Sequence, residues 1–283
     1  MPEVQSPPLR RRRLGKELRR LRDAAGLTIE EVAQRLEVSP AKISRIETGD
    51  VGVRPRDVSD LLDRYGIYGA HRDNLLTLTR EARQQVWWHP YSDVVSEGLD
   101  IWIRLETEAE AIRTFEVQLV PGLLQTSEYA RTVLGAYYPL ELPEQIDRSV
   151  ELRMARQQLV IEQNDTPIWA VLDESVLRRH IVPDELMQSQ YRRLLELSEK
   201  NNIRIQILPF DAGVYTLPGG FARMQLPYDP EAVLIEHRGG TFLIEKPEEV
   251  AAYAQVFDLL RANAKGPEES LRDISHLAKL KAG

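Results

Sequence analysis

Apolar positions at the front of the chain recur at helical spacing. Leu14, Leu18 and Leu21 stand at i, i+4 and i+7 and predict a helix that ends near Gly26. A second begins at Thr28, an N-cap followed three residues later by Glu31, the signature of a capping box, and turns Val32 and Leu36 to one side. Ala33 leaves room on it for another helix to approach. A third starts at Ser39, with Pro40 at the first helical position where its missing N–H costs nothing. Only Glu37 and Val38 separate the two. On a 100° wheel Ile43 and Ile46 share one side of the third helix, Ala41, Ser44, Arg45 and Thr48 the other, and Lys42 and Glu47 flank them. Val58, Leu61, Leu62 and Tyr65 predict a fourth helix closed by Gly66, and Leu75, Leu76, Leu78 and Ala82 a fifth from about His71 to Gln85. Met1 to Pro8, with its prolines, reads as a flexible lead-in.

Beyond this bundle the pattern changes twice. Leu99, Ile103, Ile112 and Phe115 predict one long helix over Glu97 to Phe115, broken at Pro121 and Gly122, where VPGLLQTSEYARTVL opens another. Glu144 to Gln163 also reads as helix. PIWAVLD at 167–173 and IRIQILP at 203–209 read as strands, with helices near Glu174 to His180 and Pro183 to Lys200 between them. FARMQLP and EAVLIEH are further strand candidates, and Gly239-Gly240 reads as a hairpin turn into TFLIE. Two helices close the chain, Glu248 to Ala264 and about Pro267 to Leu280. The expected architecture is a mainly α helix-turn-helix bundle over residues 1–85, then an α+β domain over 86–283 with a small, largely antiparallel sheet. At the boundary Trp87, Trp88 and His89 mark a possible effector or interface site, because adjacent tryptophans on a helix or strand cannot both point inward.

Charge sharpens this division. The net charge is −7, but residues 1–78 carry 15 Lys and Arg against 12 Asp and Glu, while the remainder carries 22 against 32. The excess of cations is at the front, where Arg10, Arg11, Arg12 and Arg13 run together and could track phosphates or enter a minor groove. Their alternative is a solvated helix end. With 283 residues, 42% of them hydrophobic, the chain can bury two cores. The absence of cysteine rules out disulfides and thiolate zinc sites, and with no apolar run of membrane length and no signal core, a cytoplasmic protein is expected.

The free face of the third helix is short, small and polar with one long cation, which suits a DNA major groove. Arg45 can take a guanine O6/N7 pair, Ser44 and Thr48 several base edges, and the Ala41 methyl a thymine methyl. Thr28, Ser39, Lys42 and the N–H groups following Pro40 are suited to phosphate oxygens.

Residues Leu27 to Gly49, LTIEEVAQRLEVSPAKISRIETG, extended back through RLRDAAGLT, resemble the helix-turn-helix of the phage-repressor class, Cro/CI or XRE. The resemblance implies a structural ion pair between Arg22 and Glu47. Two positions depart from it: Ile29 stands where glutamine often bonds a phosphate, and Glu37 where glycine usually makes the left-handed turn. The segments VPGLLQT, YAR, RMARQQ, IQILPF, GGFARMQLP and VLIEHRGGT resemble the C-terminal domain of a family of bacterial, antitoxin-like regulators often encoded beside a small partner protein. The implied function is a sequence-specific transcriptional regulator, a repressor or antitoxin-like protein, reading operator DNA with helix 39–48 as a homodimer and partnered by a small cognate protein.

The search for other chemistry returns little. Histidines at 71, 89, 180, 237 and 276 form no local metal motif, and there is no HExxH, GxSxG, phosphate loop or GxGxxG. No catalytic residue, metal or cofactor is expected. The competing class is an enzyme or effector-binding protein whose rear domain carries the main activity, with the helix-turn-helix as an accessory.

Overall fold

The computed structural model describes residues 7–82, 86–179, 181–213, 219–227, 231–238 and 240–280. The chain forms two compact units, Met1–Pro90 and Tyr91–Gly283. Among its described residues the first holds five α-helices: α1 (Pro7–Ala24), α2 (Ile29–Arg35), α3 (Pro40–Glu47), α4 (Pro55–Arg64) and α5 (Gly69–Glu81). Leu14, Leu18, Val32, Ile43, Ile46, Val58, Leu62 and Leu75 close around one core, as the helical spacing requires. The helix α1 starts at Pro7, inside the stretch expected to be a flexible lead-in, because a proline in the first turn has no N–H to satisfy; residues 1–6 lie outside the described residues. The expected end of the fifth helix at Gln85 also lies outside them.

Four helices of this unit end in the same way. After α1, α2, α3 and α4 the chain turns through one residue of positive φ, and the next N–H reaches back to a carbonyl of the last turn. The turning residues are Gly26, Glu37, Gly49 and Gly66, with φ of 70°, 53°, 83° and 72°.

The second unit is built on a six-stranded sheet. Its elements are α6 (Glu97–Glu108), β1 (Ala111–Glu116), α7 (Ser127–Tyr137), α8 (Pro143–Gln157), β2 (Ile168–Asp173), α9 (Glu174–Arg178), α10 (Asp184–Ser198), β3 (Ile203–Leu208), β4 (Phe221–Gln225), β5 (Ala232–His237), β6 (Gly240–Ile244), α11 (Pro247–Asn263) and α12 (Pro267–Leu280). The strand order is β3-β2-β1-β4-β5-β6. β1, β2 and β3 run parallel and β4 to β6 antiparallel, so the sheet is mixed, not largely antiparallel. The reason is connectivity: α7 with α8, and α9 with α10, are crossovers long enough to return the chain in the same direction.

The first strand is the main departure from the sequence pattern. The expected helix over Glu97 to Phe115 stops at Glu108, and Ala111 to Glu116 become β1, a central strand. A strand covered on both faces loses its alternation: Ile112 joins the core beneath α9, α10 and α12, while Phe115 joins the other core, beneath α11. Such a run reads like a helix.

The segment after β1, VPGLLQT, is fixed by a buried polar network. Gln125 donates to the Val120 carbonyl (2.6 Å) and accepts from Arg153 Nη1 (2.5 Å). Gln157 donates to the carbonyls of Gly122 and Gln125, both at 2.9 Å. Gln190 donates to Leu124 O and accepts from Thr126 N–H. Beside it Arg156 and Glu106 form a buried bidentate pair at 2.7 and 2.9 Å. These bonds satisfy the carbonyls of an irregular buried segment, which would otherwise each cost about 1–3 kcal/mol. The motifs VPGLLQT and RMARQQ are thus two halves of one structural core.

Candidate nucleic-acid interface

The turn between α2 and α3 is built from local bonds. Thr28 and Glu31 make the reciprocal capping box: Glu31 N–H donates to Thr28 Oγ1 at 3.2 Å and Thr28 N–H to the Glu31 carboxylate at 2.7 Å. That N–H holds the Glu31 carboxyl below its ordinary range. At the other end of α2, Glu37 N–H donates to Gln34 O and Val38 N–H to Ala33 O, completing a Schellman closure with Glu37 left-handed. Ser39 then caps α3, its hydroxyl accepting from Lys42 N–H at 3.3 Å, with Pro40 first in the helix.

The helix α3 is held from behind. Ile43 and Ile46 are buried in the bundle core. Glu47, expected on the flank, is buried too, because Arg22 of α1 donates to both its oxygens at 2.7 and 3.0 Å. Arg22 also donates to Leu27 O at 2.8 Å, and its pairing with Glu47 raises its pKa further. The close approach of α1 to α3 rests on Gly15: a Cβ there would stand 2.4 Å from Ile46 O and 2.6 Å from Glu47 O. Gly49 does the same beyond α3, where a Cβ would meet Arg12 Cα at 2.7 Å.

The outer face carries Ala41, Lys42, Ser44, Arg45 and Thr48, all exposed, with Ser39 and Pro40 exposed at the helix start. The Lys42 and Arg45 side chains make no ion pair or hydrogen bond with described residues, so both cations are available. Thr48 is already occupied: its hydroxyl donates to Asp50 at 2.6 Å and lies 3.2 Å from Arg45 O. That bond sets a carboxylate beside the exit of α3, a feature the wheel alone did not contain.

The other nominated residues are spread about the first unit. Arg11 turns inward and donates from Nε to the Ala82 carbonyl at the end of α5 (2.8 Å), so it serves the bundle. Arg12 is half-buried against Gly49, Arg13 is exposed, and the Arg10 side chain lies outside the described residues. Ile29, in the position that departs from the phage-repressor pattern, packs against the bundle core. Trp88 is buried, Trp87 half-buried against it edge to face (5.6 Å between centroids), and His89 exposed. Gly15, Gly49 and Asp50 were not singled out by sequence; the one signal for Gly15 is a helix-weakening residue inside a leucine stripe.

Two short helices joined by a tight turn, the second locked inward and polar outward, are the architecture of a helix-turn-helix domain. The chain matches a helix-turn-helix domain over residues 13–75. Over residues 100–276 it matches a domain of unknown function, DUF5753, and through this match, more than half its length, it belongs to that family. No match was found among curated proteins or among solved structures. Among the described residues no helix is long and apolar enough to cross a membrane, and no group of His, Asp and Glu could hold a metal ion.

Proposed function

We propose that the protein is a sequence-specific transcriptional regulator of the phage-repressor (XRE) class, a repressor or antitoxin-like protein, that places α3 in the major groove of operator DNA. The observation carrying this reading is the exposed row Ala41, Ser44, Arg45 and Lys42 on a helix whose opposite face is clamped by Ile43, Ile46 and the buried Arg22–Glu47 pair. A rigid support and free polar side chains are what base reading needs.

Arg45 makes the principal base contact, worth about 1–3 kcal/mol of discrimination. Lys42, Ser39, Thr28, Arg12 and Arg13 hold phosphates, and Arg10 joins them in this reading. The protein acts in the cytoplasm as a homodimer, because one such module buries too little surface for tight specificity, and its half-sites lie about 34 Å apart or at a multiple of it. The DUF5753 unit supplies regulation, through a small cognate protein or an effector, and no catalysis.

Selection of bound duplexes from a random pool by the full chain tests the reading. Enrichment of a two-fold symmetric sequence is expected, and Arg45→Ala should lose both affinity and preference at one base pair of each half-site. An Arg45→Ala protein that enriches the same sequence with the same affinity removes Arg45 from the interface; a full chain that enriches nothing removes the function.

A further inference from the structure

The exit of α3 holds a carboxylate in a fixed place on the outward face. Thr48, the C-cap, is exposed on the same side as Ala41, Ser44 and Arg45, and its hydroxyl donates to Asp50 Oδ2 at 2.6 Å. The backbone ties the same residue a second time. With Gly49 at a φ of 83°, Asp50 N–H donates to Arg45 O at 2.9 Å and closes the helix. Asp50 is itself exposed and forms no ion pair with a described residue. Its Oδ1 and the remaining lone pair of Oδ2 are thus open to a donor from outside the chain. Thr48 stands three residues after Arg45, about 4.5 Å along the helix axis, a little more than the base-pair rise of about 3.4 Å. Groups carried at these two positions address neighbouring base pairs.

The other side chains of this face, Ala41, Lys42, Ser44 and Arg45, are neutral or cationic, so Asp50 brings negative charge to a surface that is to meet a polyanion. Phosphate oxygens repel it. Guanine O6 and N7, thymine O4 and adenine N7 repel it too, since all are acceptors on the major-groove edge. Adenine offers an N6 donor, but with N7 beside it. Cytosine is the base whose edge presents a donor, the N4 amine, and no acceptor of its own. A carboxylate drawn out of water into the groove is costly unless a donor meets it. One base is then accepted and three are penalised, which is how a repulsive group creates specificity.

We propose that Asp50 is a specificity-determining residue for cytosine: its carboxylate accepts from the N4 amine at the base pair next to the one that Arg45 reads, and Thr48 is the positioning residue that aims it. The inference rests on the DNA-binding reading and adds to it a base of stated identity. Thr48, placed by the helical wheel to meet base edges, uses its one hydroxyl hydrogen on Asp50 and so acts through that carboxylate. Arg45 and Asp50 form a donor followed by an acceptor along the exposed side of α3, matched to a guanine edge followed by a cytosine edge.

The test is competition binding by the full chain, in which the duplex selected from a random pool has each position of its half-site exchanged for the other three base pairs. At one position beside the Arg45-dependent one, the parent should favour cytosine by about tenfold or more. Asp50→Asn, neutral and of the same shape, should narrow that preference to within about threefold, chiefly by binding the other three duplexes more tightly, and leave the remaining positions unchanged. Thr48→Val keeps the charge and removes the bond, so it should narrow the preference by weakening the cytosine duplex instead. Melting curves verify that both variants fold. The inference is overturned, with the DNA-binding reading intact, if Asp50→Asn changes the affinity for all duplexes by one common factor, which would make the carboxylate a general repulsion of phosphates, or if the preference it loses is for a base other than cytosine. A Thr48→Val chain with the parent's full preference overturns the role given to Thr48. A parent that selects no duplex overturns the reading and the inference together.

Discussion

Glu37 occupies a backbone position that its three counterparts give to glycine. With φ at 53° its Cβ crowds the following carbonyl, a cost of about 1–2 kcal/mol that glycine avoids, less the greater freedom glycine has when unfolded. Glu37→Gly should therefore raise the melting temperature by a few degrees, read by calorimetry, without changing the sequence bound; a lower value would mean that the Glu37 side chain holds the turn. Glu116 gives a second expectation at this scale. Burial first, then the charge of Glu236, let the folded chain hold its proton up to about 8 against an ordinary 4.5, so the stabilisation of the neutral form is complete below the lower value and lost as pH rises through the higher one. Glu116→Gln cannot ionise, so its melting temperature relative to the parent should climb from pH 5 to pH 8 and level off above. Residues whose partners lie within four positions, such as Thr28 with Glu31 and Ser39 with Lys42, were legible in the sequence because helix geometry alone brings them together. The alignment of Glu116, Gly220 and Glu236 in one row across β1, the start of β4, and β5 was not, since only the sheet register aligns residues more than a hundred positions apart.

At the scale of elements, the orientation of α3 depends on how closely α1 can cross it. Ile43 and Ile46 supply burial, but Gly15 sets the distance, its hydrogen facing two carbonyls at the end of α3. Carbonyls cannot swing aside as a flexible side chain can, so Gly15→Ala must push the helices apart. Overpacking of this kind costs about 1–3 kcal/mol. A fall of several degrees in melting temperature is expected, and operator affinity should fall more than stability alone explains, because the polar face of α3 is displaced with the helix. Equal affinity in the folded variant would show that α3 adjusts freely. The helices of this unit were legible because each is amphipathic, with one apolar stripe and explicit end signals. β1 was not: covered on both faces, it sends Ile112 to one core and Phe115 to the other, and two apolar residues three apart have the spacing of a helix.

For the whole molecule the question is how a chain of net charge −7 approaches a polyanion. The charge is divided along the sequence: the cationic excess lies in the front residues and the rear portion is strongly acidic. Phosphate contacts release counterions, so the logarithm of the binding constant falls linearly with the logarithm of salt concentration, by about 0.9 per contact. The acidic unit adds repulsion that salt also screens, and this opposes that slope without adding contacts. Lys42 is exposed and without an internal partner, so it can supply one such contact, whereas Arg11, bonded to the Ala82 carbonyl, cannot do so without breaking its bond. Measured on the full chain at a series of salt concentrations, Lys42→Ala should flatten the slope by about one per subunit and weaken binding to all sequences alike. Arg11→Ala should leave the slope unchanged and lower the melting temperature instead. The reverse pattern would move the phosphate-binding edge from α3 to the start of α1 and turn the first unit about its axis on the duplex.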